Sequence, residues 1–220
     1  MSTVEQHNWE IFDKDAMLNR EPFNRKTFNP ENAIDRRSLD TLRTQGRSRA
    51  YNYENYHGRP SGKHYADDPV RCCGSTALRN LNLTRAEHGD RFLDLGCGDS
   101  PDALIAKKLG YSVFAFDLFP SQLPATVFIQ RDIIEDWPES EEGQIAVVSC
   151  QAMIDLVAPD EREHLYRNVF KALRPDGLFS LYGVNLHCGH GYNNHVEIKR
   201  VRTVGFRAVD VKANGFVVIK

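Results

Sequence analysis

The sequence predicts a doubly wound α/β domain behind a polar N-terminal extension, and three features carry that expectation. Residues 91–110 join an apolar run to a helical pattern through a glycine turn. Two further β-rich runs end in an acid, and a Leu-x-Pro-x-Gly turn introduces another strand. With 220 residues, 41% of them hydrophobic, the chain can bury one α/β core plus an appendage.

Taken in order, Arg91 to Leu95 reads as the first strand and Gly96-Cys97-Gly98 as the turn after it. Ser100 suits the N-cap of the next helix, Pro101 its first position, Leu104, Ile105 and Leu109 its apolar face, and Gly110 its stop. Ser112 to Asp117 is a second strand ending in an acid, and Thr126 to Asp132 a third. The link from Leu118 to Pro124 is too short for a helix, so this edge is expected to be open or covered by the N-terminal segment. Ile145 to Gln151 is a buried fourth strand, followed by a helix from about Pro159 with Leu165, Val169 and Leu173 on one face. Leu173 to Gly177 is a turn, and Leu178 to Val184 the fifth strand. Val204 to Phe206 ends a last helix, and Ala208 to Val211 and Phe216 to Ile219 form a closing strand pair. Nearer the start, Asn29-Pro30-Glu31 opens a short helix with Ile34 and Leu42 as a thin stripe, and another spans Pro69 to Leu81. Residues 1–68 are thus an extension, serving as a lid or a substrate-binding arm, and 69–220 the main domain.

The glycine turn carries the chemistry. Its glycines let backbone approach a ligand, and Asp94 offers a carboxylate to a cation or a hydroxyl. A dinucleotide site would want a third glycine where Pro101 stands, and its pyrophosphate would be repelled by Asp94 and Asp99. Those acids suit a cationic nucleoside. With Asp94-Leu-Gly96-Cys97-Gly98, Asp117, Asp132 and Leu173-Arg-Pro-Asp-Gly177 in this order, the chain resembles the class I S-adenosylmethionine-dependent methyltransferases from about Asp90 to Lys220. The resemblance implies a Rossmann-like, mostly parallel seven-stranded sheet with an antiparallel last strand, and S-adenosyl-L-methionine as cofactor. It implies that Asp94, Gly96, Cys97 and Gly98 line the cofactor turn and that Asp117 grips both ribose hydroxyls, with Leu118 beside it. Asp132 would meet the adenine amino group, Ile133 would supply backbone there, and Gln151 would begin the fourth motif.

Methyl transfer from a sulfonium is an in-line displacement, so the protein chiefly positions the acceptor and excludes water. A hydroxyl or protonated amine acceptor also needs a base, and His187 and His190, in the loop Asn185 to His195 after the fifth strand, are the candidates. Ligands of open α/β sheets gather beyond the carboxyl ends of the strands, where this loop should lie. The same loop also reads as plain surface. His187, Cys188, His190 and His195 permit a metal reading, but their spacing matches no zinc pattern and no metal is expected. Ser149 to Met153 lacks the Asn/Asp-Pro-Pro-aromatic turn of base-amine methyltransferases and the Pro-Cys pair of cytosine carbon-5 enzymes. A small molecule, a protein side chain or RNA remains as acceptor.

Between Arg36 and Lys63, Arg36, Arg37, Arg43, Arg47, Arg49, Arg59 and Lys63 face only Asp40 and Glu54, with Tyr51, Tyr53 and Tyr56 interleaved. Cations with aromatics can hold single-stranded nucleic acid; the alternative is a lid whose tyrosines pack on the core, which the overall charge of −2 favours. Gly58 to His64 falls one residue short of a phosphate loop and ends in His, so nucleotide hydrolysis is set aside. The scattered cysteines Cys72, Cys73, Cys97, Cys150 and Cys188 read as reduced thiols, which, with no bilayer-length apolar run and no basic-then-apolar leader, points to a cytoplasmic protein. His164 falls in an amphipathic helix and reads as structural. A noncatalytic S-adenosylmethionine-binding regulator or interaction module is the alternative to an enzyme.

Overall fold

The computed structural model describes residues 76–80, 86–98, 102–121, 123–138, 141–183, 190–212 and 214–220. The extension 1–68, the Arg36 to Lys63 segment and most of the helix expected over Pro69 to Leu81 lie outside them. The elements are α1 (Thr76–Arg79), β1 (Arg91–Leu95), α2 (Asp102–Lys108), β2 (Ser112–Asp117), β3 (Phe128–Gln130) and β4 (Ile145–Gln151). There follow a 3-10 turn (Ile154–Leu156), α3 (Arg162–Ala172), β5 (Leu173–Tyr182), α4 (Asn194–Val204), β6 (Arg207–Lys212) and β7 (Gly215–Ile219).

These strands make the expected seven-stranded sheet, in the order β3-β2-β1-β4-β5-β7-β6. The strands from β1 to β5 pair in parallel, and β7 is antiparallel to both β5 and β6. Side chains alternate across the sheet. Phe92, Val113, Ala115, Val147, Leu178 and Val217 meet Ala77 and Leu78 of α1 and Ala103, Ile105 and Ala106 of α2. Leu93, Phe116, Val148, Phe179 and Phe216 meet Leu165 and Val169 of α3 and Ile198 and Val201 of α4. β1 and β4 are buried along almost their whole length, as strands covered on both faces must be.

The links on either side of β3 contain no α-helix among their described residues, in keeping with the short β2–β3 connection. Between β3 and β4, Trp137 fills the corresponding volume: its ring meets Phe116 edge-on at 5.9 Å and its Nε1–H donates to the Ile133 carbonyl at 3.1 Å. Asn168 of α3 holds this turn by donating to the Glu135 carbonyl at 3.0 Å.

Several expectations need correction. Leu109 does not join the buried face of α2; it is 39% exposed, because the helix stops at Lys108 and Gly110 (φ +93) turns the chain away. The third strand spans only Phe128–Gln130, because the Val127 and Phe128 N–H groups both turn back to the Pro124 carbonyl. Asp132 therefore stands in the turn beyond the strand. Leu173 does not extend the face of α3: its backbone is already extended (φ −67, ψ 136), and it opens β5 by pairing with Ile145. The expected turn survives inside β5, where Asp176 has φ +61 and the register with β4 shifts. His195 is not a loop residue but lies in the first turn of α4, whose N-cap is the Asn193 side chain accepting from the His195 and Val196 N–H groups.

A buried ion pair joins the two helices of one face. Arg162 Nη1 of α3 meets Glu197 Oε1 of α4 at 2.8 Å, and Tyr166 donates its hydroxyl to Glu197 Oε2 at 2.7 Å. Arg162 also donates to the carbonyls of Val157 and Gly191, tying the segments after β4 and after β5 to the same side chain.

The buried and exposed ends of α2 should respond differently to truncation. Ile105→Ala is expected to cost about 2–5 kcal/mol in urea denaturation, and Leu109→Ala under about 0.5 kcal/mol. Equal costs would contradict the burial assigned to this helix.

Candidate active site

The order of strands reverses at β1, which lies between β2 and β4, and the connections after β1 and β4 run to opposite faces. A crevice opens beyond the carboxyl ends at such a point. The glycine turn stands at its centre. Gly96 (φ +62) and Gly98 (φ +49) both adopt left-handed backbone, which is costly for residues with a Cβ. Their surroundings differ. A Cβ on Gly96 would lie 2.3 Å from Met153 Cγ, whereas one on Gly98 would meet no atom of a described residue within 4 Å. Gly96 is therefore closed against the segment after β4, and Gly98 has no such neighbour among the described residues.

The turn is bound to β2 by backbone and side chain. Cys97 N–H donates to the Phe116 carbonyl at 3.1 Å, which buries the cysteine side chain in the α2 face of the core. Gly98 N–H donates to Asp117 Oδ2 at 2.8 Å, and Phe119 N–H to Asp117 Oδ1 at 2.9 Å. Both carboxylate oxygens are thus held by amides and keep lone pairs for further donors. Asp94 is 2% exposed and shares a register row with Ala115 of β2 and Ser149 of β4; Ser149 in turn pairs with Ser180 of β5.

The remaining cofactor candidates frame the crevice. Leu118 follows Asp117, and its carbonyl accepts from Gln130 Nε2 at 3.1 Å. Arg131 N–H donates to the Asp117 carbonyl at 2.8 Å, carrying the β2–β3 pairing on toward Asp132. Asp132 Oδ1 accepts from Ile134 N–H at 3.0 Å, which fixes its half-buried carboxylate beside the largely buried Ile133. Gln151, half-buried at the end of β4, follows the Cys150 that pairs with Leu95, so it stands across from the glycine turn.

His190 lies in the segment between β5 and α4. Its N–H donates to the Asp155 carbonyl at 2.6 Å, joining the loop after β5 to the 3-10 turn after β4. His187 and Cys188 lie outside the described residues. His195 points away on an exposed helix turn, and no group of three or more His, Cys, Asp and Glu among the described residues could hold a metal ion. His164 is partly exposed and meets the Asp136 carboxylate at 3.3 Å.

Four neighbours of the site had no local signal in the sequence. Met153 closes over Gly96, and Ala152 beside it has φ +57, an uncommon backbone for a residue with a Cβ. The Tyr192 ring lies against Gly183, where a Cβ would come within 2.4 Å of it. Ser121 donates its hydroxyl to the Gly98 carbonyl. Burial, with Asp94 and Asp155 close by, pushes the Cys150 thiol well up, so this cysteine is neutral and no nucleophile.

Strand order, reversal point and acid-flanked glycine turn together define a class I, Rossmann-like methyltransferase fold. Residues 64–209 match the sequence profile of a methyltransferase domain, and the chain belongs to that family. An uncharacterized methyltransferase from Synechocystis sp. is 27% identical over 117 residues, 50% of this chain and 52% of that protein. The chain thus spans about half the length of the curated relative it matches. Among solved structures, an S-adenosylmethionine-dependent methyltransferase from Mesorhizobium loti superposes with a TM-score of 0.52 at 15% identity, covering 67% of this chain and 99% of that one. A TehB-like methyltransferase from Corynebacterium glutamicum gives 0.52 at 18% identity, covering 82% and 97%. The 1,6-didemethyltoxoflavin-N1-methyltransferase of Burkholderia thailandensis, solved with S-adenosylhomocysteine, gives 0.52 at 17% identity, covering 86% and 89%. At these identities the likeness is one of fold.

The two glycines should separate in experiment. Gly96→Ala meets both a strained φ and Met153 and should lower stability by about 2–3 kcal/mol, whereas Gly98→Ala meets only the φ penalty of about 1 kcal/mol. Thermal melts of the two variants check this. A second expectation concerns pH. The Cys150 thiol and the Tyr166 phenol are both raised by burial, Tyr166 with the further influence of Glu197. The folded chain then holds more protons than the unfolded one at alkaline pH. Stability should be intact below about pH 8.5, the ordinary thiol value, and decline as pH rises beyond it. Urea midpoints between pH 7 and 10 measure the slope, and Cys150→Ala should flatten its first part.

Proposed function

We propose that this protein transfers a methyl group from S-adenosyl-L-methionine to an acceptor that is a small molecule, a protein side chain or RNA. The observation that carries the proposal is the pairing of Gly98 with Asp117: a left-handed glycine open to the crevice, its amide held by a carboxylate at the end of the neighbouring strand. This donor set suits a nucleoside, because Asp117 can accept both ribose hydroxyls and Asp132 an adenine amino group, with Leu118 and Ile133 alongside. Asp94, buried beside the turn, adds negative charge that favours a cation over a pyrophosphate. When bound, the cofactor supplies an electrophilic methyl group on a sulfonium.

The chain's own part is to bind, orient and exclude water. Gly96, Cys97 and Gly98 shape one wall, and Gln151 and Met153 the opposite one. His190, with its backbone fixed by Asp155, and His187 in the same loop are the proposed bases that take the proton of a hydroxyl or ammonium acceptor. The extension 1–68, with its basic Arg36 to Lys63 stretch, is proposed as the lid or acceptor-binding arm over the domain 69–220. No helix among the described residues is long and apolar enough to cross a membrane, and the buried, neutral thiol of Cys150 is compatible with the proposed cytoplasmic setting.

Calorimetry with S-adenosylmethionine should show micromolar binding, and Asp117→Ala should weaken it at least tenfold, about 1.4 kcal/mol. Methyl-labelled cofactor incubated with RNA, protein and metabolite fractions should deliver label to one of them. His190→Ala should slow that transfer by about 10²–10⁴-fold while leaving cofactor affinity unchanged. Binding without transfer to any fraction would leave a noncatalytic cofactor-binding module, and firm binding of a nicotinamide or flavin dinucleotide instead would overturn the proposal.

A further inference from the structure

The β2–β3 connection does more than join two strands. Where a helix would ordinarily hold a parallel crossover in place, the described residues between Leu118 and Val127 are secured by hydrogen bonds to their own side chains and to the glycine turn. Asp117 accepts from Phe119 N–H at 2.9 Å, and Ser121 Oγ accepts from Leu123 N–H at 3.1 Å. Leu123 is buried in the α2 face of the core with Val127 and Ala115, so Ser121 is anchored to the sheet through its neighbour. The hydroxyl has one proton, and it is donated to the Gly98 carbonyl at 2.5 Å.

Gly98 is thereby held at both polar groups from one short segment. Asp117 takes its N–H and Ser121 its C=O. A left-handed glycine has no side chain to fix its two dihedrals, and no atom of a described residue lies within 4 Å of where a Cβ would stand. We propose that Ser121 is a positioning residue for the cofactor: it fixes the peptide plane that carries the Gly98 carbonyl while Asp117 holds the neighbouring plane that carries the Gly98 N–H, so the two bonds together lock the rotation at Gly98 between them. A correctly aimed Asp117 carboxylate then keeps its outward lone pairs toward the ribose hydroxyls of the nucleoside. The inference rests on reading the crevice as an S-adenosylmethionine site, and it assigns affinity to a residue whose hydroxyl is bonded to the turn.

The test uses the full chain with S-adenosylhomocysteine as calorimetric probe and thermal melts of the free protein. Ser121→Ala should raise the dissociation constant about five- to tenfold, the range of one hydrogen bond, with a melting temperature close to that of the unsubstituted chain. Ser121→Thr, which keeps the donor, should restore the affinity. Unchanged affinity in Ser121→Ala overturns the inference while leaving the proposed function standing. Affinity and melting temperature falling together, with no rescue by Thr, overturns it also, since the serine would then serve folding alone. Failure of the unsubstituted chain to bind either S-adenosylhomocysteine or S-adenosylmethionine removes the proposed function itself, and this inference with it.

Discussion

The position of β1 between β2 and β4 is the constraint on which the rest of the molecule depends. Parallel pairing on both sides brings three carboxyl ends to one edge, and the connections leaving β1 and β4 pass to opposite faces of the sheet. Right-handed crossovers make this divergence obligatory rather than incidental. A gap must open where they part, and the first residues after β1 must turn sharply to reach α2. Glycine at 96 and 98 is the local answer to that global demand. Once the turn is made, Cys97 and Gly98 are within reach of β2, and the contacts with Phe116 and Asp117 follow from adjacency.

Charge and burial reinforce this geometry. Asp94 and Asp155 lie near enough to Cys150 to raise its thiol further than burial alone does, so the floor of the crevice is electronegative. Away from the floor, the segments that follow β4 and β5 have a different kind of support. Arg162 reaches the carbonyls of Val157 and Gly191 while paired with Glu197, so the segments after β4 and β5 share one buried cation. Such a pair contributes little net stability compared with apolar packing but penalises arrangements that leave either charge alone. It makes the two segments move as a unit or not at all.

Much of the fold was legible because strands buried on both faces are continuous apolar runs, and the acids at 117 and 132 mark where such runs leave the core. Helix limits were less legible. The helical spacing of Leu104, Ile105 and Leu109 describes a face but not the point at which Gly110 ends it. The spacing of Leu165, Val169 and Leu173 likewise continues past the true end of α3, since periodicity in sequence persists after the backbone has become extended. Contacts of the site were readable only where they were local. Asp117 and Gly98 are separated by 19 residues yet follow from strand order, whereas Met153 over Gly96 and Arg162 with Glu197 depend on how loops and helices settle in three dimensions. His190 follows β5 with its N–H on the Asp155 carbonyl, and His195 was misplaced because the Asn193 cap starts a helix inside what composition describes as loop.

The antiparallel course of β7 has a practical corollary. Lys220, the residue after this strand, returns to the beginning of β5, with its N–H donated to the Gly177 carbonyl and its Nζ to that of Leu173. That corner is the opposite pole of the sheet from the crevice. A fluorophore or a surface tether attached at this corner would stand a strand's length from the glycine turn, a favourable point for immobilising the molecule in ligand screens.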